Sequence, residues 1–340
     1  MQSRFDLVRS KLGEWEVDAV LVTTPANRRW LTGFTGSAGQ LLLTPDKAIL
    51  ATDSRYWVQV GREAPDVELF STRYQPDDMA NFLTLGGAKR IGIEARTMSV
   101  SEFRALQELD DYDWVPLNNP IEFLREVKSA DELATIQAAA QITDLAAEQV
   151  PTLVQVGMSE AELAWLLEKT MREAGATAMA FDIIVASGPN SALPHHHPGE
   201  RRLQAGDALI VDMGAAVDGY KSDLTRSFFL GESAPDAYWE IYNTVLAAHT
   251  ATLEQLHAGM TGKDGDALAR DVIVNAGYGD NFGHGLGHGV GLDIHEGRGY
   301  RSEGRKCFRS DRRHRRAGDL ILWISPAFVL RIWLWLARIM

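Results

Sequence analysis

A chain of 340 residues is too long for one ordinary core and points to two domains, while 45% hydrophobic and 24% charged residues exclude the disordered, collagenous and disulfide-stapled classes. The formal net charge of −12 excludes a general attraction to nucleic acid, whose phosphates would be repelled. A single cysteine, Cys307, cannot form an internal disulfide, which favours a reducing, cytoplasmic setting.

Charged residues interrupt every apolar stretch of the opening MQSRFDLVRSKLGEWEVDAV, so the hydrophobic region of a secretory signal is not expected. Phe5, Leu7, Val8 and Leu12 have near-helical spacing, and Ala19-Val20-Leu21-Val22 reads as a buried strand. After the glycine-rich TGFTGSAGQ, the runs Leu41–Leu43 and Ala48–Ala51 flank the turn signal Thr44-Pro45-Asp46 and predict a hairpin. A strand at Arg90–Glu94 and a helix over Ser99–Leu109 complete an α/β first domain ending near Pro116–Pro120.

Ser129 with Glu132 three residues on is a capping-box signature and predicts a long, alanine-rich helix opening the second domain. Ser159 with Glu162 predicts another, running to Glu173 with Gly175 as its stop. Strands follow at Asp182–Ala186, Ala208–Met213 and Ser227–Leu230, then helices around Asp236–His257 and Lys263–Ala276.

Two segments carry chemistry. The apolar strand Leu209–Met213 ends in Asp212, and eleven residues later Asp223 follows glycine-bearing turns. Two carboxylates facing each other across a hairpin repel unless a cation lies between them. Taken alone, Asp212 as a turn cap and Asp223 as a solvated loop residue is the favoured account, given the usual surface preference of aspartate. The second segment holds three histidines, His284, His288 and His295, within twelve residues and among five glycines. Neutral imidazole is the commonest ligand for borderline metals, and this glycine density predicts a turn-rich segment that brings backbone close to a ligand. A third cluster, Pro194-His195-His196-His197-Pro198, is a rigid loop in which one or two histidines suffice for function.

Together Val211-Asp212-Met213-Gly214, Ser222-Asp223-Leu224-Thr225-Arg226 and the run HGLGHGVGLDIHE resemble the metallopeptidase family of the pita-bread fold, which includes Xaa-Pro aminopeptidase, Xaa-Pro dipeptidase and methionine aminopeptidase. The segments NRRWLTGFTGSAG and Asp53-Ser54-Arg55-Tyr56-Trp57 resemble the creatinase-type first domain of Xaa-Pro peptidases, which methionine aminopeptidase lacks. The resemblance implies an α/β (α+β) chain with a creatinase-like domain over 1–122 and a pita-bread domain over 128–297, while composition and charge set 298–340 apart as an atypical tail. It implies that Asp212 binds one metal in a bidentate manner, Asp223 bridges two metals and His288 binds the second. His195, His284 and His295 would orient substrate and stabilise the developing charge. Oxygen ligands with one imidazole suit Mn²⁺, with Co²⁺ or Zn²⁺ as alternatives. Such an ion pair lowers the pKa of a bridging water and polarises the scissile carbonyl of a proline-containing peptide. A homodimer is the default expectation on the same resemblance.

The chain departs from that family at its end. The family closes its metal site with two glutamates downstream of the histidines, but after Glu296 the only glutamate here is Glu303, and Ser325 and Met340 stand nearest the two expected places. Residues 298–340 hold 11 Lys and Arg against three Asp and Glu, a net +8 that leaves −20 for residues 1–297. A shifted reading frame from about residue 298 is the simplest account of this change. Leu320–Met340 is apolar, but Pro326, Arg331 and Arg338 interrupt it, so a membrane anchor is not expected. Two other readings remain open. A creatine hydrolase on the same fold would leave Asp212, Asp223 and His288 unexplained, whereas a catalytically impaired peptide-binding homologue would account for the missing glutamates.

Overall fold

The computed structural model describes residues 3–257 and 259–297, and the predicted atypical tail lies outside the described residues. The chain divides into two compact units, Met1–Glu126 and Val127–Met340.

The first unit runs α1 (Arg4–Arg9), β1 (Ala19–Val22), α2 (Pro25–Thr32), β2 (Gln40–Leu43), β3 (Ala48–Thr52), α3 (Trp57–Glu63), β4 (Glu68–Ser71), α4 (Asp78–Gly86), β5 (Arg90–Glu94), α5 (Val100–Gln107), β6 (Asp113–Leu117) and α6 (Glu122–Arg125). Its six strands form one sheet in the order β4-β3-β2-β1-β5-β6. The β1-β2-β3 pairs are antiparallel and the others parallel. Strand β1 and residues Leu41–Leu43 of β2 are fully buried apolar runs, as central strands covered on both faces require. The predicted hairpin pairs Leu41 with Leu50 and Leu43 with Ala48. Pro116, taken from sequence as part of the domain end, sits inside β6, where an edge strand tolerates the missing donor.

The second unit runs α7 (Ala130–Leu153), α8 (Glu160–Glu173), β7 (Ala178–Met179), β8 (Ile184–Ser187), β9 (Ala208–Met213), β10 (Ala215–Val217), β11 (Tyr220–Lys221), β12 (Leu224–Phe229), α9 (Asp236–Gln255) and α10 (Gly262–Asn275). Both predicted capping boxes are formed, at Ser129–Glu132 and Ser159–Glu162. The strands make two antiparallel sheets, β12-β9-β8 and β11-β10-β7.

Strand β9 is buried along its whole length, and its alternation divides the core. Leu209, Val211 and Met213 pack with Ala146, Val150, Leu163 and Leu167 of α7 and α8. Ala208 and Ile210 pack on the other side with Ile241, Val245, Ala269 and Ile273 of α9 and α10. Asp212 follows Ala208 and Ile210 in phase, so the carboxylate ends the face turned toward α9 and α10. Among the described residues, no helix is long and apolar enough to cross a membrane.

The expected strand at Asp182–Ala186 spans Ile184–Ser187, and the largest departure from the expected bounds is at β12. β12 begins at Leu224 rather than Ser227, because Leu224 and Thr225 are buried in register with Met213 and Asp212. The polar pair Thr225-Arg226 masks that strand in an apolar pattern search.

Candidate functional site

The site starts from the β9–β12 pairing. Thr225 stands opposite Asp212, and its hydroxyl donates to Asp212 Oδ1 at 2.8 Å. Continuing the register by two residues puts Asp223 on the same face, diagonal to Asp212 and within the reach of neighbours on a pleated surface. Gly214 permits this turn, since a Cβ there would overlap the Ser222 carbonyl oxygen. Ser222 is in turn pinned to α7. Its hydroxyl shares a 2.7 Å hydrogen bond with Thr143 and lies 3.1 Å from the Ala139 carbonyl oxygen, and Ala215 N donates to both hydroxyls. Helix α7 therefore sets where the Asp223 segment begins.

The histidine-rich segment is a chain of turns, as its glycines predict, and α10 holds its start. The buried Asp266 carboxylate accepts from Leu286 N at 3.0 Å and pairs with Arg270 at 2.5 Å. Arg270 also donates to the carbonyls of Phe282 and His284, with its guanidinium 4.3 Å over the Phe282 ring. His284 Nδ1 donates to the Gly285 carbonyl at 2.7 Å, and its ring meets Phe282 edge-on.

His288 lies beside Asp223, with Nε2 3.5 Å from Asp223 Oδ2 and side chains 21% and 12% exposed. His288 Nδ1 donates to the Gly289 carbonyl at 3.1 Å, so Nε2 is the ring nitrogen that faces the carboxylate. An imidazole nitrogen and a carboxylate oxygen facing each other are joined by a proton or by a shared cation. With metal–ligand bonds of about 2.1 Å, atoms 3.5 Å apart subtend roughly 110° at a shared ion, a normal ligand angle. The donors present thus fit a divalent cation in kind and in spacing. Among the described residues, however, no group of three or more His, Cys, Asp and Glu is gathered as a metal-holding cluster. His295 stacks edge-on against His288, with ring centroids 4.3 Å apart.

The third histidine cluster is separately anchored. His195 and His197 are exposed, whereas His196 Nε2 donates to Glu160 Oε2 at 2.7 Å. Glu160, fully buried in the first turn of α8, also accepts from Ser187 N, Ser187 Oγ and Asn190 Nδ2. Burial pushes the Glu160 carboxyl up, but the hydrogen bonds from Ser187, His196 and Asn190 outweigh it and leave the group below the usual glutamate range. His196 is thus a structural tie for the loop that presents His195. Of the six candidate residues, Asp223, His288 and His295 are brought together, Asp212 shares a face with Asp223, and His284 and His195 sit on separately braced loops. Sequence reasoning did not single out Thr225, Glu160, Lys128 or Glu296. Thr225 was findable, being in phase with Asp223 on one strand, whereas the partners of the other three are remote in sequence.

An antiparallel hairpin carrying two aspartates, facing a glycine-rich turn carrying histidines and preceded by a separate α/β unit, defines a two-unit metallohydrolase. The profile of metallopeptidase family M24 matches residues 134–321, and that of the creatinase/prolidase N-terminal domain matches residues 4–127. A Xaa-Pro dipeptidase of Pyrococcus furiosus is 33% identical over 298 residues, covering 87% of this chain and 84% of the relative. Among solved structures, a Xaa-Pro dipeptidase from Bacillus anthracis superposes with a TM-score of 0.87 at 38% identity, covering 90% of this chain and 86% of the other. An X-Pro aminopeptidase from Thermotoga maritima gives 0.83 at 34% identity, covering 91% and 88%. The chain belongs to metallopeptidase family M24 and is an Xaa-Pro peptidase homologue of pita-bread fold with a creatinase-type first domain. Membership implies divalent metal ions.

Proposed function

We propose that this protein is a metal-dependent exopeptidase that hydrolyses the Xaa-Pro bond of dipeptides or of peptide N-termini. The observation that carries the reading is the 3.5 Å approach of His288 Nε2 to Asp223 Oδ2, a nitrogen and a carboxylate oxygen at the spacing of two ligands of one ion. Asp212, Asp223 and His288 are the proposed ligands, with Mn²⁺ favoured over Co²⁺ or Zn²⁺ by the oxygen-rich donor set. Bound ions would supply an activated water and a Lewis acid for the scissile carbonyl. The protein's part is to orient and to stabilise. Thr225 holds the Asp212 carboxylate by donating to Oδ1. His295, exposed beside His288, would donate to an oxyanion, and His195 and His284 would orient substrate from their own loops. A proline-containing peptide is the proposed substrate, and the names of the dipeptidase and aminopeptidase relatives support it. The creatinase-like domain over 1–122, the pita-bread domain over 128–297, a homodimer and a cytoplasmic setting belong to the same reading.

A second reading is favoured by one specific observation. The sequence lacks the two closing glutamates, with Ser325 and Met340 near their places, so an impaired peptide-binding homologue is the alternative. The test is metal analysis of the purified full chain alongside cleavage of Ala-Pro and Ala-Pro-Ala with and without Mn²⁺. Cleavage that requires Mn²⁺ and disappears in Asp223→Asn supports the exopeptidase. Peptide binding without cleavage under any metal supports the alternative, and neither binding nor cleavage defeats both.

A further inference from the structure

A buried ion pair that the proposed reaction does not use lies behind the histidines. Lys128 Nζ stands 2.9 Å from Glu296 Oε2, with the two side chains only 11% and 5% exposed. The residues are 168 positions apart in the chain, so the pair is a tertiary tie.

Glu296 directly follows His295, and Gly289 directly follows His288. Glu296 and Gly289 exchange both backbone hydrogen bonds, Glu296 N to Gly289 O at 2.9 Å and Gly289 N to Glu296 O at 3.1 Å. This bridge closes the loop and brings the two preceding rings to 4.3 Å. The Glu296 side chain folds back into that loop, where Oε1 accepts from Asp293 N at 3.1 Å and Oε2 from Lys128. Gly291 leaves the room it needs, because a Cβ there would run into the Glu296 carboxyl group. Lys221 N donates to the Gly291 carbonyl at 2.8 Å and ties the loop to β11.

Lys128 immediately precedes Ser129, the N-cap of α7. The same helix accepts from Tyr220 through Glu132 at 2.9 Å and pins Ser222 through Ala139 and Thr143. One helix therefore holds both segments that approach each other at the candidate metal centre. Its Glu132–Thr143 stretch fixes the Asp223 hairpin, and the lysine at its base fixes the His288–His295 loop.

We propose that Lys128 is a positioning residue which, through Glu296, sets the placement of His288 and His295 against Asp223. The inference rests on the metallopeptidase reading of that site, but its main readout is independent of metal and turnover. The full chain is labelled on histidine only, and the two rings are assigned with His288→Asn and His295→Asn. The unaltered protein should show a proton–proton Overhauser cross-peak between the His288 and His295 rings. Lys128→Met keeps the stem and removes the ammonium. It should lose that cross-peak and shift both ring signals while His196, braced by Glu160, stays in place. Lys128→Arg should restore the cross-peak. Mn²⁺ affinity, measured calorimetrically, should fall roughly 10-fold or more in Lys128→Met and recover in Lys128→Arg.

A Lys128→Met protein that keeps the cross-peak and both ring shifts overturns the proposal. Absence of the cross-peak from the unaltered protein defeats the reading of the site itself. Should Lys128→Met not fold, as circular dichroism would report, Gly291→Ala displaces the Glu296 carboxylate with the lysine retained. Loss of the cross-peak there supports the tie, and its retention overturns it.

Discussion

Replacing Gly214 by alanine tests the geometry of the β9–β10 corner. The new Cβ would overlap the Ser222 carbonyl oxygen and stand 2.9 Å from Ala180 Cβ and 3.0 Å from the Phe181 ring. The closest of these neighbours is backbone, so no flexible chain end is available to swing aside. Gly214 has no left-handed backbone angle, which makes the cost one of space alone. Overpacking that side chains can absorb costs roughly 1–3 kcal/mol, and a clash that backbone must absorb belongs at or above the top of that range. At about 3 kcal/mol, a unit of this size should melt roughly 6–12 °C lower. Gly61 is the matched control. It lies inside α3 with nothing within 4 Å of an added Cβ, so Gly61→Ala should gain about 0.5–1 kcal/mol from the helix backbone. Scanning calorimetry of the three proteins reads both effects, and Mn²⁺ titration of Gly214→Ala reads the displacement of Asp223. A Gly214→Ala protein that melts with the unaltered chain would refute the close approach of Gly214 to Ser222.

Three further outcomes follow from the same contacts. Thr225→Val deletes the hydroxyl that donates to the buried Asp212 carboxylate, so the metal-free protein should lose about 1.5–3 kcal/mol in urea unfolding, with part of the loss recovered when Mn²⁺ is added. Arg270→Met strands the buried Asp266 carboxylate and frees the Phe282 and His284 carbonyls, a loss of about 3–5 kcal/mol that Arg270→Lys should only partly relieve. Glu160 titrates below its free value in the native state, so its stabilising contribution is complete above about 4.5 and disappears as pH falls through the lower native value. Glu160→Gln should therefore flatten the fall in stability below pH 4.5, and an unchanged acid limb would contradict the assignment of that carboxylate.

What the sequence disclosed divides along a physical line. Local chemistry was readable. Ser129–Glu132 and Ser159–Glu162 satisfy backbone donors within one turn, and α8 ends at Glu173 with Gly175 beyond it at φ 106°. Strand β9 was readable from its apolar run, with observed bounds equal to those expected. The helix α2 carried its signals too, Pro25 at its first position and a left-handed Gly33 at its end. Strands β10 and β11 are three and two residues long, too short to show a period. The site was legible where ligands recur within one segment, as with His284, His288 and His295. It was illegible where bracing comes from afar. Nothing around Lys128 in the sequence marks Glu296 as its partner, and nothing around Ala139 or Thr143 marks Ser222.

The same division bears on whether this chain can hold two ions. Asp212 and Asp223 bring two negative charges, whereas two divalent cations bring four positive ones, and for hard cations affinity rises with the number of charged oxygen ligands. A hydroxide held with the ions would offset one of the remaining charges, and His288 would offset none, because an imidazole ligand is neutral. Serine at 325 and methionine at 340 supply no carboxylate. Calorimetric titration of the full chain should therefore show at most one Mn²⁺ bound, released by mild chelation, and Asp223→Asn should abolish even that. Restoring a coding frame that provides two glutamates after residue 297 should raise the stoichiometry to two and strengthen binding by roughly 10-fold or more. Tight uptake of two Mn²⁺ by the 340-residue chain itself would show that carboxylates beyond Asp212 and Asp223 complete the centre, and the charge argument would fail.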